Sequence, residues 1–271
     1  PEARYVLERA SARETTSRVA AGGLAKLLLR ELGIEVLSHV IGVGGASISG
    51  DEISWEQIVE LSKRDEVLLN CADAEAEQRM KAEVDQVYKT ADTVGGVFEV
   101  RAHQVPPGLG TYVNWDERLD ARLAAAVMSI QAVKGVEIGS GMTAAVSHGS
   151  DAQDPIGYEK LRPFAGFTRP SNRAGGLEGG VTNGEDVIVR GYLKPISTLR
   201  RPLPSVDFAT REPVQAAYER SDVCVVPAAG VVAEAMVALV LAQAALEKFG
   251  GDSLRETKRN FEGYIAQLRD Y

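Results

Sequence analysis

Two segments are apolar around almost their whole circumference when drawn as helices, and this feature constrains the fold more than any other. They are LDARLAAAVMSIQAVKGVEIG, residues 119–139, and VVAEAMVALVLAQAALEKF, residues 231–249. A helix on a protein surface needs only one apolar stripe, so helices of this kind are buried on more than one side. The sequence therefore predicts an internal helical layer.

The segment 231–249 is long enough to cross a membrane, but Glu234 and Gln243 interrupt it and the polar GGDS follows at once. A buried core helix explains this pattern better than a membrane span. Composition agrees, since 45% of the 271 residues are hydrophobic and 25% are charged, as in ordinary globular proteins. The net charge of −8 disfavours general nucleic-acid binding. We expect neither a membrane nor a nucleic acid as partner.

The two cysteines, Cys71 and Cys224, lie far apart and match no metal-ligand spacing. A disulfide-stabilised protein of this size normally carries more cysteines. This usage predicts a cytoplasmic protein without a metal site.

Helical spacing also covers residues 3–32, with Gly33 as a candidate C-cap. Gly22 and Gly23 weaken this helix, which predicts close packing against a neighbouring element. Two exposed helices are expected at residues 53–65 and 73–90, where opposite charges fall three or four apart.

Alternation with period two predicts strands in EVLSHVIGVGG, VFEVRAHQV, VIVRGYL and DVCVV. We interpret the glycines of GVGG as a turn or bulge and not as a nucleotide loop. No linker or repeat divides the chain. The pattern therefore predicts one α+β domain in which sheets cover central buried helices.

The Asn183-Gly184 pair before VIVRGYL predicts a type I′ hairpin, whose two central residues both need positive φ. The preceding segment holds more glycines than one turn requires, namely Gly175, Gly176, Gly179 and Gly180. They serve either ordinary turns or a backbone that approaches a flat or anionic ligand closely.

The segment KPIST places the ammonium of Lys194 near the hydroxyls of Ser197 and Thr198, with Pro195 fixing the backbone. A cation with directed hydroxyl donors suits a phosphate monoester. The alternative is an ordinary polar strand end. The glycine spacing of a P-loop is missing, which argues against nucleotide hydrolysis.

Two further segments combine charges at useful spacings. In ERSDVCVV, Arg220 and Asp222 are two apart and would share one face of an extended chain, as a pocket edge or as a structural ion pair. In LERASARET, Arg9 and Arg13 are four apart, with Ser11 nearby, so they could clamp an anion or pair with neighbouring glutamates. For His39, His103 and His148 we expect structural or surface roles.

Several long motifs, in the same order along the chain, resemble motifs of the chorismate synthase family. Their sequences are most similar to those of actinobacterial-type members. These motifs are LERASARET, VMSIQAVKGVEIGSG, NRAGGLEGGVTNGE, KPIST, RPLPSVD, ERSDVCVVPAAGVVAEAMVALVLA and EKFGGDSL. The resemblance implies a lyase of aromatic amino-acid biosynthesis, in the shikimate pathway. Its reaction is the anti 1,4-elimination of phosphate from 5-enolpyruvylshikimate 3-phosphate to give chorismate.

The same resemblance implies reduced FMN as cofactor, with NADPH or an external reductase supplying the electrons. It also implies a homotetramer of β-α-β sandwiches with antiparallel sheets. Flavin contacts would fall on Arg9, Ala10, Ser11, Gln131, Ala132, Gly179, Lys194, Pro195, Ile196, Ser197, Thr198 and Arg220. Asp222 would manage a flavin proton, and Arg13 would bind substrate anions.

The family's GxSHG and RPGHAD motifs, which carry its catalytic histidines, have no counterpart in this sequence. We therefore expect an N-terminally truncated domain with impaired activity. The alternatives are a catalytically incomplete FMN-binding or assembly fragment and an ordinary flavin oxidoreductase.

Overall fold

The computed structural model describes residues 3–10, 12–48, 53–160, 164, 166–216 and 222–270. The helices are α1 (Ala3–Ala10), α2 (Ala12–Glu31), α3 (Trp55–Ser62), α4 (Ala74–Lys89), α5 (Leu119–Met128), α6 (Gly141–Ala144), α7 (Gly149–Ala152), α8 (Val226–Phe249) and α9 (Leu254–Arg269). The strands are β1 (Glu35–Val43), β2 (Ala46–Ser47), β3 (Gly96–His103), β4 (Val133–Ile138), β5 (Gly157–Tyr158), β6 (Phe167–Thr168), β7 (Leu177–Glu178), β8 (Val181–Thr182), β9 (Val187–Leu193), β10 (Pro204–Val206) and β11 (Pro213–Gln215).

The main sheet is antiparallel, with strand order β2-β1-β3-β9-β4. Its apolar face packs on α8, which contacts both β1 and β3. Phe98 occupies the place that a side chain at residue 191 would need, because a Cβ on Gly191 would lie 2.1 Å from the Phe98 ring. Antiparallel strands over buried helices confirm the predicted α+β class.

Helix α8 is the centre of the hydrophobic core, in contact with α2, α5 and the sheet. Thirteen of its residues are buried, including Val237, Ala238 and Leu241. Within the described ranges it is the one helix long and apolar enough to cross a membrane, and most of that apolar stretch is buried inside the chain. The prediction of a core helix at residues 231–249 is confirmed, and its start lies earlier, at Val226.

Close packing between α2 and α8 explains one glycine of the Gly22-Gly23 pair. A Cβ on Gly22 would lie 2.3 Å from the Cβ of Ala235, whereas a Cβ on Gly23 would meet nothing within 4 Å. Helix α2 ends at Glu31, and Gly33, the predicted C-cap glycine, follows with a φ of +76°. The amide of Ile34 donates to the carbonyl of Leu29 at 3.0 Å, the longer hydrogen bond of a Schellman C-cap.

The segment 119–139 is not one helix, so that prediction is wrong. Helix α5 ends at Met128, and β4 begins five residues later at Val133. Ala132, at the junction, has a φ of +68°, which no right-handed helix accommodates. The β-branched residues that follow pair with β9, so tertiary pairing overrides the apolar continuity.

DVCVV is not a strand either. Its last residue, Val226, begins α8, and Pro227 stands in the first turn of that helix. Proline suits this position because its missing N–H would have no partner there. The alternating segment thus belongs to the irregular approach to a buried helix.

The predicted Asn183-Gly184 hairpin is also wrong. Gly184 has a φ of +95°, but Asn183 does not have a positive φ, so the turn is not type I′. Strand β8 pairs with β7, whereas β9 pairs with β3 and β4. The Asn183 side chain instead accepts a hydrogen bond from the amide of Glu185 at 3.0 Å, which makes a local Asx turn.

Candidate active site

Three distant segments meet where β3, β4 and β9 reach the same end of the sheet. The amide of Lys194 donates to the carbonyl of Ala132 at 3.0 Å. The hydroxyl of Thr93 donates to the carbonyl of Ile196 at 2.8 Å. The amide of Val94 donates to the carbonyl of Val223 at 3.0 Å, next to Asp222. We call residues 131–132, 194–197 and 222–223 the loop cluster.

Glycine makes this convergence possible. A Cβ on Gly95 would lie 2.2 Å from the carbonyl oxygen of Leu193 and 3.0 Å from the nitrogen of Pro195. Any side chain at residue 95 would therefore push the KPIST segment away from β3. The strained backbone of Ala132 is held in place by its hydrogen bond with Lys194, as expected for strain at a binding site.

The first turn of α2 reaches the loop cluster through Glu14. Its carboxylate accepts from the Nε of Arg18 at 2.9 Å and from the Nε2 of Gln131 at 3.4 Å. Arg18 in turn donates to the hydroxyl of Ser129 at 2.7 Å. The hydrogen bond from Arg18, together with that from Gln131, lowers the pKa of Glu14. An ionised carboxylate thus fixes which end of the Gln131 amide faces it.

Several side chains of the loop cluster point to no protein partner. Lys194, Ser197 and Asp222 are exposed, and no described residue forms a hydrogen bond or ion pair with their side chains. The Oε1 atom of Gln131 is buried, again with no donor in the described part of the chain. A cation, a hydroxyl, a carboxylate and an amide oxygen are thus available at one location.

Other predicted residues lie outside this convergence. Gly179 forms the turn between β7 and β8, and the adjacent Gly180 accepts from Leu119 at the start of α5. Gln131 follows the far end of α5, so the length of a ten-residue helix, about 15 Å, separates the two positions. Arg9 and Ala10 lie exposed at the end of α1. Ser11 and Arg220 fall outside the described residues.

Arg13 is exposed and forms an ion pair with Glu8 at 2.5 Å. This is one of the pairings that the sequence left open, and a substrate anion would have to compete with Glu8. Thr198 is the last residue of the KPIST segment and is half-buried.

A second polar region, which was not predicted from the sequence, covers the outer face of the sheet. His39 lies opposite Glu99, and Glu99 and Glu137 each lie opposite Arg190, so these four residues form one row across the strands. Glu99 accepts from Nη2 of Arg101 at 2.7 Å and from Nε of Arg190 at 2.9 Å. The available signal in the sequence was the spacing of Glu99 and Arg101 in VFEVRAHQV. Residues two apart in a strand lie on the same face.

Burial alone would raise the pKa of Glu99, but the hydrogen bond with His39 and the charges of Arg101 and Arg190 outweigh it. They hold the pKa of Glu99 well below its usual range. Burial, with the hydrogen bond to Glu137, raises the pKa of Tyr192 to about 12. At neutral pH this face therefore carries the ionised carboxylate of Glu99 and the neutral phenol of Tyr192.

The other two histidines have structural settings. His103 forms a 2.7 Å contact with Asp186 and stacks on Trp55, with ring centroids 4.7 Å apart. His148 is exposed at the start of α7. Neither histidine lies in the loop cluster.

Comparison with known proteins identifies the family. The chorismate synthase family profile matches residues 1–246. A chorismate synthase from Koribacter versatilis is 71% identical over 273 residues, which cover all of this chain and 70% of the relative. One from Saccharopolyspora erythraea is 55% identical over 270 residues, covering 99% of this chain and 66% of the relative.

A solved structure, "Crystal Structure of Chorismate Synthase", superposes with a TM-score of 0.84 at 41% sequence identity. The match covers 99% of this chain and 73% of that one. The chain thus spans about 70% of the length of the relatives it matches. The predicted family, fold class and enzyme class are confirmed, and the chain belongs to the chorismate synthase family, a family of lyases in aromatic biosynthesis.

Proposed function

We propose that the loop cluster holds reduced FMN against 5-enolpyruvylshikimate 3-phosphate during the anti 1,4-elimination that gives chorismate. The observation that carries this proposal is the convergence of three distant segments, which leaves Lys194 and Asp222 exposed and without described partners at one site. We propose further that residues 1–271 form a single domain.

The donor set fits the cofactor. The ammonium of Lys194 and the hydroxyl of Ser197 are three residues apart on an exposed segment, which suits the phosphate of FMN. The buried Oε1 of Gln131 is an acceptor without a donor, and leaving such an atom unpaired costs about 1–3 kcal/mol. An N–H group of the flavin ring would satisfy it.

The protein's own contribution is electrostatic. Reduced flavin, when bound, supplies electron density toward the departing phosphate and takes up the hydrogen from C6. Three anionic groups then lie close together, so cationic side chains must lower the local potential. We assign Lys194 to the flavin phosphate, and Arg13 and Arg220 to the anions at the site.

We assign Asp222 to proton transfer, because it is the exposed carboxylate of the loop cluster. Its oxygen atoms would hold or release a proton beside the flavin ring.

The remaining proposals concern assembly and location. We propose a cytoplasmic homotetramer, with NADPH or an external reductase as electron source. Support for self-association comes from large apolar side chains on the surface, including Tyr112, Trp115 and Phe208, which are 78%, 81% and 99% exposed. Sedimentation of the purified chain would test this, and a monomer at micromolar concentration would contradict it.

The activity is tested with the purified chain, chemically reduced FMN and substrate under anaerobic conditions. Because the sequence predicts impaired activity, we expect chorismate and inorganic phosphate to form slowly but in equal amounts, with no NADPH consumed per turnover. FMN binding without chorismate would instead identify a non-catalytic flavin-binding unit. Oxidation of one NADPH per product would identify an oxidoreductase.

A further inference from the structure

A cavity of about 620 Å³ lies on the polar face of the main sheet, and no residue of the loop cluster lines it. Its walls come from all five strands of the sheet, from residues 140–143 at the start of α6, from the loop at residues 171–173, and from Ile48 and Ile53. None of the flavin or substrate positions implied by the family resemblance contributes to these walls. The cavity is therefore a separate feature of the fold.

Two interlocked turns place arginines beside this cavity. A Cβ on Gly139 would lie 2.3 Å from the carbonyl oxygen of Arg173, and a Cβ on Gly175 would lie 2.4 Å from the nitrogen of Gly139. The amide of Ser140 donates to the carbonyl of Arg173 at 2.8 Å. The Nη1 of Arg190 donates to the carbonyl of Gly139 at 3.0 Å. The two turns thus hold Arg173 and Arg190 at the same side of the cavity.

Both guanidinium groups have N–H groups that donate no hydrogen bond to the described residues. Arg190 uses Nε and Nη1, and Arg173 uses Nη1 toward the carbonyl of Gln153 and the hydroxyl of Ser171. In the described ranges, no hydrogen bond runs from Nη2 of either arginine. The hydroxyls of Ser140 and Thr143, which also line the cavity, likewise make no hydrogen bond to described residues.

The charges that face the cavity are three guanidinium groups, from Arg101, Arg173 and Arg190, and two carboxylates, from Glu99 and Glu137. Both carboxylates already accept hydrogen bonds from other groups of the protein. Glu99 binds Arg101 and Arg190, and Glu137 accepts from the amide of Met142 at 2.8 Å and from the hydroxyl of Tyr192.

A third carboxylate lies behind Arg173. Asp154 is buried 3.9 Å from this guanidinium and accepts from the hydroxyl of Ser171 and from two backbone amides. It therefore holds the 171–174 turn in place and leaves the outer side of Arg173 facing the cavity.

We propose that this cavity binds a phosphate group, as a free anion or as a phosphate monoester of a small molecule. Arg173 and Arg190 would donate through Nη2, and Ser140 and Thr143 would donate through their hydroxyls. Guanidinium groups match the geometry of phosphate oxygens, and the tetrahedral anion has enough oxygens for all four donors.

The test measures binding of inorganic phosphate by titration calorimetry in chloride buffer. Lys194→Ala serves as background, so that the flavin site does not contribute. In this background we expect Arg173→Gln to weaken phosphate binding by about tenfold or more, the effect of losing one charge-assisted hydrogen bond. Arg64→Gln is the matched control, because Arg64 is exposed and its side chain has no described partner; it should change nothing.

Ser140→Ala provides a second variant if Arg173→Gln does not fold, and we expect a severalfold weaker binding from it. Acetate in place of phosphate should bind much more weakly, whereas equal binding of acetate would identify a carboxylate site. Equal phosphate affinity in the Arg173→Gln, Ser140→Ala and Arg64→Gln variants would overturn the proposal. A change in oligomeric mass without a change in phosphate affinity would overturn it as well, and would assign the cavity to a protein interface.

Discussion

Asp222 and Lys194 lie in the same loop cluster but have different proposed tasks. For Asp222→Ala we expect FMN affinity to stay within about threefold while turnover falls by at least about 100-fold, since a group that moves protons acts mainly on the rate. Flavin fluorescence titration and the rate of chorismate formation measure the two effects. Asp222→Asn keeps the shape and should be equally slow. A normal rate in either variant would rule out the proton role.

Lys194→Ala is expected to change FMN affinity and not mainly the rate. Losing one charge-assisted hydrogen bond to the flavin phosphate should weaken FMN binding by about 10- to 100-fold. Riboflavin, which has no phosphate, should bind both proteins equally well. Lys63→Ala is the control, because Lys63 is also exposed but follows α3. If FMN bound Lys194→Ala as tightly as the control, the phosphate assignment would be wrong.

Glu99 makes the stability of the chain depend on pH. Its pKa is depressed in the folded state, so on acidification the unfolded chain takes up a proton before the folded chain does. The stabilisation from Glu99 is thus complete above a pH of about 4.5, the region of an ordinary glutamate, and is lost as the pH falls toward the folded pKa. Urea unfolding at pH 7 and pH 4 measures this loss.

Glu99→Gln should remove that part of the pH dependence. It should also lower the free energy of unfolding at pH 7 by about 3 kcal/mol, because the buried Arg101 loses its carboxylate. An equally steep fall between pH 7 and pH 4 in the variant would show that other carboxylates dominate acid unfolding.

Among the helices, α2 and α8 pack closely enough that the side chain at residue 22 is constrained. Gly22→Val should lower the free energy of unfolding by about 3 kcal/mol, because the new side chain would overlap Ala235. Gly23→Ala is the matched control in the same helix. It meets no neighbour and should raise stability by about 0.5–1 kcal/mol. Equal effects in the two variants would contradict the packing.

The elements that depend on a local rule were predictable from sequence. Helix α8 is buried because its residues are apolar on almost every side, and α2 ends just before Gly33 because that residue adopts positive φ. In both cases the residues themselves contain the cause, and the tertiary structure agrees with the local preference.

The errors arose where pairing partners decide the outcome. Asn183-Gly184 has the composition of a hairpin turn, yet β9 finds its partners in β3 and β4. Segment 119–139 is continuous in hydrophobicity, yet Ala132 adopts positive φ and starts a strand. A single sequence does not contain the information about which distant strand will compete for these residues.

At the scale of the whole molecule, the loop cluster depends on contacts between residues that are distant in the chain. The resemblance pointed to Gln131, Ala132, Lys194 and Asp222, and the structure brings their segments together through two backbone hydrogen bonds and one from the Thr93 hydroxyl. Sequence spacing could not show this convergence, because β3, β4 and β9 determine it. Nor could it show that the β7–β8 turn with Gly179 lies at the other end of α5.

A crystal structure of the chain with bound FMN would locate the flavin site directly. We predict the flavin phosphate within about 3.2 Å of Lys194 Nζ and Ser197 Oγ, a hydrogen-bond distance, with the ring beside Asp222 and Gln131. FMN bound elsewhere, for example in the cavity on the polar face of the sheet, would contradict the account.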